Sequence, residues 1–189
     1  MPANWSTFVN TVAPFLDSAV PKTERDTARV ISNSYKASTS MVSISNIIGS
    51  IPILTPPTIL MENAILDVFN KTKQSGRKSI PPYYIKWANE LSSYWLQTKW
   101  NPLPPPIGYV GPITGVNTQF GGIVTTLSVN LFNAFNNPPS PVPLGNIICA
   151  KLVTAFQIHL LTITGLYIGT IPSPNGPIPG PPFPWIGIV

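Results

Sequence analysis

Residues 81–97 read PPYYIKWANELSSYWLQ. Within this stretch Tyr84, Ala88, Leu91 and Trp95 recur at i, i+4, i+7 and i+11, the spacing of one face of an α-helix. Pro81 and Pro82 stand where a first helical turn tolerates proline, since its missing N–H has no intrahelical acceptor there. The segment predicts a helix whose aromatic stripe needs other helices to cover it, and the flanking sequence supplies candidates.

Upstream, Trp5, Phe8, Val12, Phe15 or Leu16, and Ala19 repeat at helical spacing, with Pro14 expected to kink or divide the segment and Pro21 to end it. Thr23 can cap a second helix, with Glu24 and Asp26 at its positive end. Ala28, Ile31, Tyr35, Ser38 and Val42 form its thin stripe, so close packing against another helix is expected. An apolar connector at 43–57 carries Pro52, Pro56 and Pro57. A third helix is expected from about Thr58, burying Met61, Ala64, Ile65, Val68 and Phe69, with Gly76 as its stop.

Beyond the quoted stretch the chain changes character. Residues 101–122 are dense in proline and glycine and read as a long ordered loop of polyproline II type. A fifth helix is expected over 123–136 through Val124, Leu127, Leu131 and Phe135. A sixth is expected from Asn146 as cap, through Ile148, Leu152, Ala155 and Phe156. The β-branched run Thr162–Ile168 reads as a strand, and Pro172–Pro184 excludes helix. The fold class that follows is mainly α: a small helical bundle with Pro/Gly-rich ordered loops, a short β segment and an extended C-terminal arm. Its expected parts are a helical domain at 1–100, a charge-poor helical and β segment at 101–171 packed on it, and a proline-rich arm at 172–189.

Charge divides the 189 residues unevenly. Only 9% are Asp, Glu, Lys or Arg, against about 25% in a typical soluble domain. All six acids and every base except Lys151 precede Trp100. A half with one formal charge, His159 apart, has poor colloidal stability alone, and neighbouring subunits that cover it remove the difficulty. A membrane is the other shelter, and 147–171 is the longest apolar stretch. Lys151 within it would cost about 2.5–3.5 kcal/mol on insertion scales, which argues against a membrane. Met1 to Ser6 lacks the basic and apolar regions of a signal peptide, so none is expected.

Groups able to do chemistry are few. Cys149 and His159 are the sole members of their types. Ten residues apart on one predicted helix, they stand about 15 Å apart along its axis, so they form no nucleophilic pair and no closed zinc site. Glu62 and Asp67 are spaced badly for paired acid–base work and read as surface charges. No cofactor is implied and no enzyme is expected. A basic run, Lys71, Lys73, Arg77 and Lys78, followed by Tyr83, Tyr84, Lys86 and Trp87, offers phosphate contacts and stacking rings. The plainer reading is a solvated helix end followed by core aromatics. The proline tail has no base and carries large apolar groups. Ile178, Phe183, Trp185, Ile186 and Ile188 are therefore the candidate subunit-interface residues.

Several features together resemble small virion structural proteins of large tailed bacteriophages. They are the aromatic and proline-bearing first helix (Trp5 to Leu16), the Ala/Ser-rich second helix reaching Tyr35, and the Tyr94-Trp95 helix running into a proline loop at Pro106. TITGLYIG (162–169) followed by PNGPIPGPPFPW (174–185) completes the pattern. The resemblance implies a chain made in the host cytoplasm and built in many copies into a head, neck, tail or baseplate. Its partners would be other virion proteins and copies of itself, not nucleic acid. The charge-poor half departs from what a solvent-facing receptor-binding tip needs. Two other readings stand beside it: a monomeric intracellular protein-binding module, and a membrane-associated protein using 147–171.

Overall fold

The computed structural model describes residues 2–45, 52–72, 82–100, 108–120, 123–136 and 143–189. The protein is mainly helical. The helices are α1 (Trp5–Asp17), α2 (Glu24–Ser38), α3 (Ile59–Thr72), α4 (Pro82–Gln97), α5 (Val124–Phe135) and α6 (Leu144–Thr162). Each packs on the next in sequence, and α6 closes the cycle by packing on α1.

The stripe read from residues 84–95 faces the interior of this cycle. Tyr84, Ala88, Leu91 and Trp95 are buried, as are Tyr83, Trp87 and Tyr94. Every member of the α2 stripe, Ala28 through Val42, is buried too. Phe156 of α6 sits at the centre, with ring centroids 4.8 Å from Tyr35 and 5.6 Å from Phe8, both edge-on. Such pairs add about 0.5–1.5 kcal/mol each beyond their area burial. Tyr35 accepts a 2.7 Å hydrogen bond from Trp95 Nε1, and burial holds its phenol well above the usual tyrosine range.

Local signals set several boundaries. Thr23 caps α2 through a capping box, accepting from Asp26 N at 3.0 Å while Asp26 reaches back to Thr23. The Thr23 hydroxyl and backbone N–H together hold the Asp26 carboxyl below its ordinary value. Pro14 neither divides nor ends α1, which runs unbroken to Asp17. It falls in the final turn, and Lys22 Nζ satisfies carbonyls there by donating to Phe15 O and Ser18 O. Gly76, read as the stop of α3, lies outside the described residues.

Two sheets sit beside the helices. β1 (Pro52–Leu54) and β2 (Lys99–Trp100) form an antiparallel pair. The larger sheet is centred on β4 (Thr164–Ile171), flanked by β3 (Val110–Phe120) on one side, with β5 (Ile178–Pro179) and β6 (Phe183–Ile186) also paired to it. All pairings are antiparallel. Here the loop expected over 101–122 is corrected: its described part from Val110 is an eleven-residue strand. Pro112 falls where the β3–β4 register shifts, between Val110 and Gly115, so its missing N–H interrupts no regular rung.

The C-terminal segment expected as an extended arm has extended backbone in β5 and β6 and docks on its own chain. Residues 178–189 fold back onto their own chain. Gly165 pairs with Trp185 and Tyr167 with Phe183. Gly187, at φ +85°, turns the chain out of β6 and donates to Ile163 O at 2.8 Å. Ser43 and Val189 then exchange both backbone hydrogen bonds, at 2.7 and 2.8 Å.

Candidate assembly interface

The C-terminal end of α6, the N-terminal segment and the returning tail meet at one end of the molecule. They enclose a groove of about 300 Å³ lined by Pro2, Ala3, Trp5, Gln157, Leu160, Leu161, Ile188 and Val189. Among the described residues no charged side chain lines it. Leu161 is 56% exposed and Ile186 57%, and Ile158 and Val189 are also exposed around the same end of α6 and the tail. α6 produces this surface because it carries apolar side chains on every face. One face, with Ile148, Leu152, Ala155 and Phe156, enters the core, and among the described residues the other face leaves Ile158 and Leu161 exposed beside Lys151, Thr154 and Gln157.

The structure divides the five candidate interface residues. Trp185 and Ile188 are 2% and 1% exposed and pack in the core of their own chain. They alternate inward from the tail while Ile186 and Ile178 remain exposed. Phe183 is placed by its register opposite Tyr167, and its side chain lies outside the described part. Sequence reasoning missed Ile158 and Leu161, because in an apolar helix periodicity does not tell the covered face from the open one.

The basic and aromatic stretch does not assemble as a stacking surface. Tyr83, Tyr84 and Trp87 are buried. Lys86 pairs with Asp67 at 2.6 Å. Lys71 is exposed in the last turn of α3, and Lys73, Arg77 and Lys78 lie outside the described residues.

Cys149 and His159 are both buried on α6. Burial, with a smaller contribution from the Asp17 carboxylate, pushes the Cys149 thiol up to about 12. His159 Nε2 instead faces Ser92 Oγ of α4 at 3.2 Å, a pairing across 67 positions that spacing could not reveal. Glu62 corrects another expectation, since it is buried and not a surface charge. Arg25 and Arg29 of α2 approach its two oxygens at 3.5 and 3.6 Å.

Among the described residues, α6 is the one helix long and apolar enough to cross a membrane. The stretch 147–171 is not one span, because α6 ends at Thr162 and β4 begins at Thr164. No protein-family model, curated protein or solved structure matches this chain.

Proposed function

We propose that the chain is a non-enzymatic structural subunit of a virion, set in a head, neck, tail or baseplate among copies of itself and other virion proteins. The observation that carries this reading is the groove at the end of α6, whose described lining has no charged side chain and includes exposed Leu161 and Val189, with Ile158 of the same helix and Ile186 of the same tail also exposed. These side chains belong to a half with a single formal charge. Exposed apolar side chains gathered around one groove favour a protein neighbour, and burying them contributes about 25 cal/mol per Å². The burial of Cys149 and His159 on the core side of α6 agrees with a structural role.

The test is peptide mass spectrometry on particles purified by density gradient from cells infected with the encoding virus. The expected result is this chain at constant stoichiometry with the major particle proteins, retained through salt washing. Its presence only in the soluble lysate would overturn the proposal.

A further inference from the structure

Five of the six acids are engaged within their own chain. Asp17 accepts from Gly145 N, Asp26 closes the capping box at Thr23, Glu62 lies between Arg25 and Arg29, Asp67 pairs with Lys86, and Glu24 in the first turn of α2 is engaged as well. Glu90 is the exception: half-buried on α4, it has no hydrogen bond or ion pair among the described residues. Ser93 and Gln97 follow it at i+3 and i+7 on one face of the helix, beside Pro56, Pro57 and exposed Leu60. The converse holds on α6. Lys151 is the one formal side-chain charge beyond Trp100, His159 apart. It lies in a groove of about 330 Å³ between α5 and α6, with Asn130, Asn133 and Thr154, and its Nζ donates to Asn133 O at 3.4 Å. This groove gathers an ammonium and two side-chain amides, and its described lining holds no carboxylate. A neighbour that covers it takes the ammonium out of water, which is costly unless an anion comes with it.

From these observations we infer that copies of this chain pack head to tail, the Glu90 face of α4 seated in the Lys151 groove of the next copy, with the Glu90 carboxylate accepting from the Lys151 ammonium. Charge and count select this occupant. The groove needs an acid, its own half of the chain contains none, and Glu90 is the one acid left to supply it. Ser93 and Gln97, further along the same face, meet the hydrogen-bonding side chains of Asn130, Asn133 and Thr154. Lys86, one turn before Glu90, is matched by Asp67 at 2.6 Å and does not oppose the contact. Because the two surfaces differ, the contact is heterologous and repeats from copy to copy, closing a ring or extending a filament. This deepens the subunit reading by naming a second copy as the neighbour, and rests on it for its purpose. Its test uses purified protein, so its failure is distinct from absence from particles.

Sedimentation at low salt, over a range of protein concentrations, compares the unaltered full-length chain, Lys151→Glu, Glu90→Lys, and an equal mixture of the two variants. The expected result is concentration-dependent association of the unaltered chain. Each variant alone should associate about tenfold or more weakly, because like charges then meet at every contact. In the mixture the two variants alternate with opposite charges at every contact, so association returns. An unaltered chain that stays monomeric across the range overturns the inference, and so does association that either variant leaves intact. Loss in both variants without recovery in the mixture overturns it as well, since the two side chains then do not meet each other. Thermal melts check that both variants fold. Should either melt markedly lower, the neutral changes Lys151→Gln and Glu90→Gln decide: each weakens association severalfold if the pair forms, and unchanged association refutes it.

Discussion

Asp17, the last residue of α1, caps the helix that closes the cycle: its Oδ1 accepts a 2.8 Å hydrogen bond from Gly145 N in the first turn of α6. The cap expected from Asn146 is thereby corrected. α6 begins two residues earlier, at Leu144, after Pro143, and no side chain of its own caps it. A carboxylate at this positive helix end is favourable on both hydrogen-bonding and dipole grounds. The contact also explains why residue 145 is glycine. A Cβ there would stand 2.5 Å from Ala13 O and 2.8 Å from Asp17 Oδ2. Gly145→Ala is expected to destabilise by about 1–3 kcal/mol through overpacking, and Asp17→Ala by about 0.5–2 kcal/mol through loss of the cap. Urea midpoints check both. The double variant should lose less than the sum of the two, because both changes break one contact.

Glu62 gives an asymmetric prediction. It is buried, while Arg25 and Arg29 are each about half exposed. Removing one arginine leaves the other near the carboxylate, so each single Arg→Ala change should cost less than about 1 kcal/mol. Removing both strands a buried charge and should cost about 1–3 kcal/mol. Glu62→Gln leaves two exposed cations and should cost less than the double arginine change. Thermal melts of the four variants test the order, and equal losses for Glu62→Gln and the double variant would refute it.

These two sites show what the sequence could and could not disclose. The stripe from Tyr84 to Trp95, the Thr23 cap, and the strand after α6 were legible because each follows from contacts within a few residues. β3 was hidden because its pairing with β4 lies some fifty residues away, and that pairing outweighs the loop character of Pro112 and its glycines. Burial of Glu62 was hidden because its arginines stand on another helix. At the candidate interface the apolar character was legible, but its placement was not. Trp185 and Ile186 are neighbours of similar hydrophobicity, and only the register of β6 on β4 sends one inward and the other outward.

Cys149 supplies a prediction in pH. Its thiol is pushed up from 9.0 to about 12 in the folded chain, by burial and then by Asp17. In the unfolded chain the thiol loses its proton above about pH 9, while the folded chain keeps it until about pH 12. Unfolding therefore releases a proton in this window. The thiol's contribution to stability is complete below pH 9 and is lost progressively from there to about pH 12. Cys149→Ala should flatten this part of the alkaline limb in urea titrations. At pH 8 the native thiol should resist alkylation by about a thousandfold or more relative to the chain in urea, because reaction awaits opening. Rapid native labelling would show that Cys149 is not enclosed between α6 and its neighbours.

The last prediction separates folding from assembly within two adjacent residues. Trp185 fills the core and should cost about 3–5 kcal/mol when truncated to alanine. Ile186 points outward, and Ile186→Ser should change the urea midpoint by less than about 0.5 kcal/mol, as at other exposed positions. If the apolar end of α6 and the tail contacts neighbouring subunits, the same Ile186→Ser change, alone or with Leu161→Ser, should lower incorporation of the chain into particles severalfold at normal cellular levels. Trp185→Ala should lower incorporation too, but only together with the amount of folded protein. Normal incorporation of the Ile186→Ser, Leu161→Ser chain would place the subunit contacts elsewhere on the molecule. Loss of incorporation without loss of stability has no explanation in the fold of the single chain, because neither side chain is buried within it.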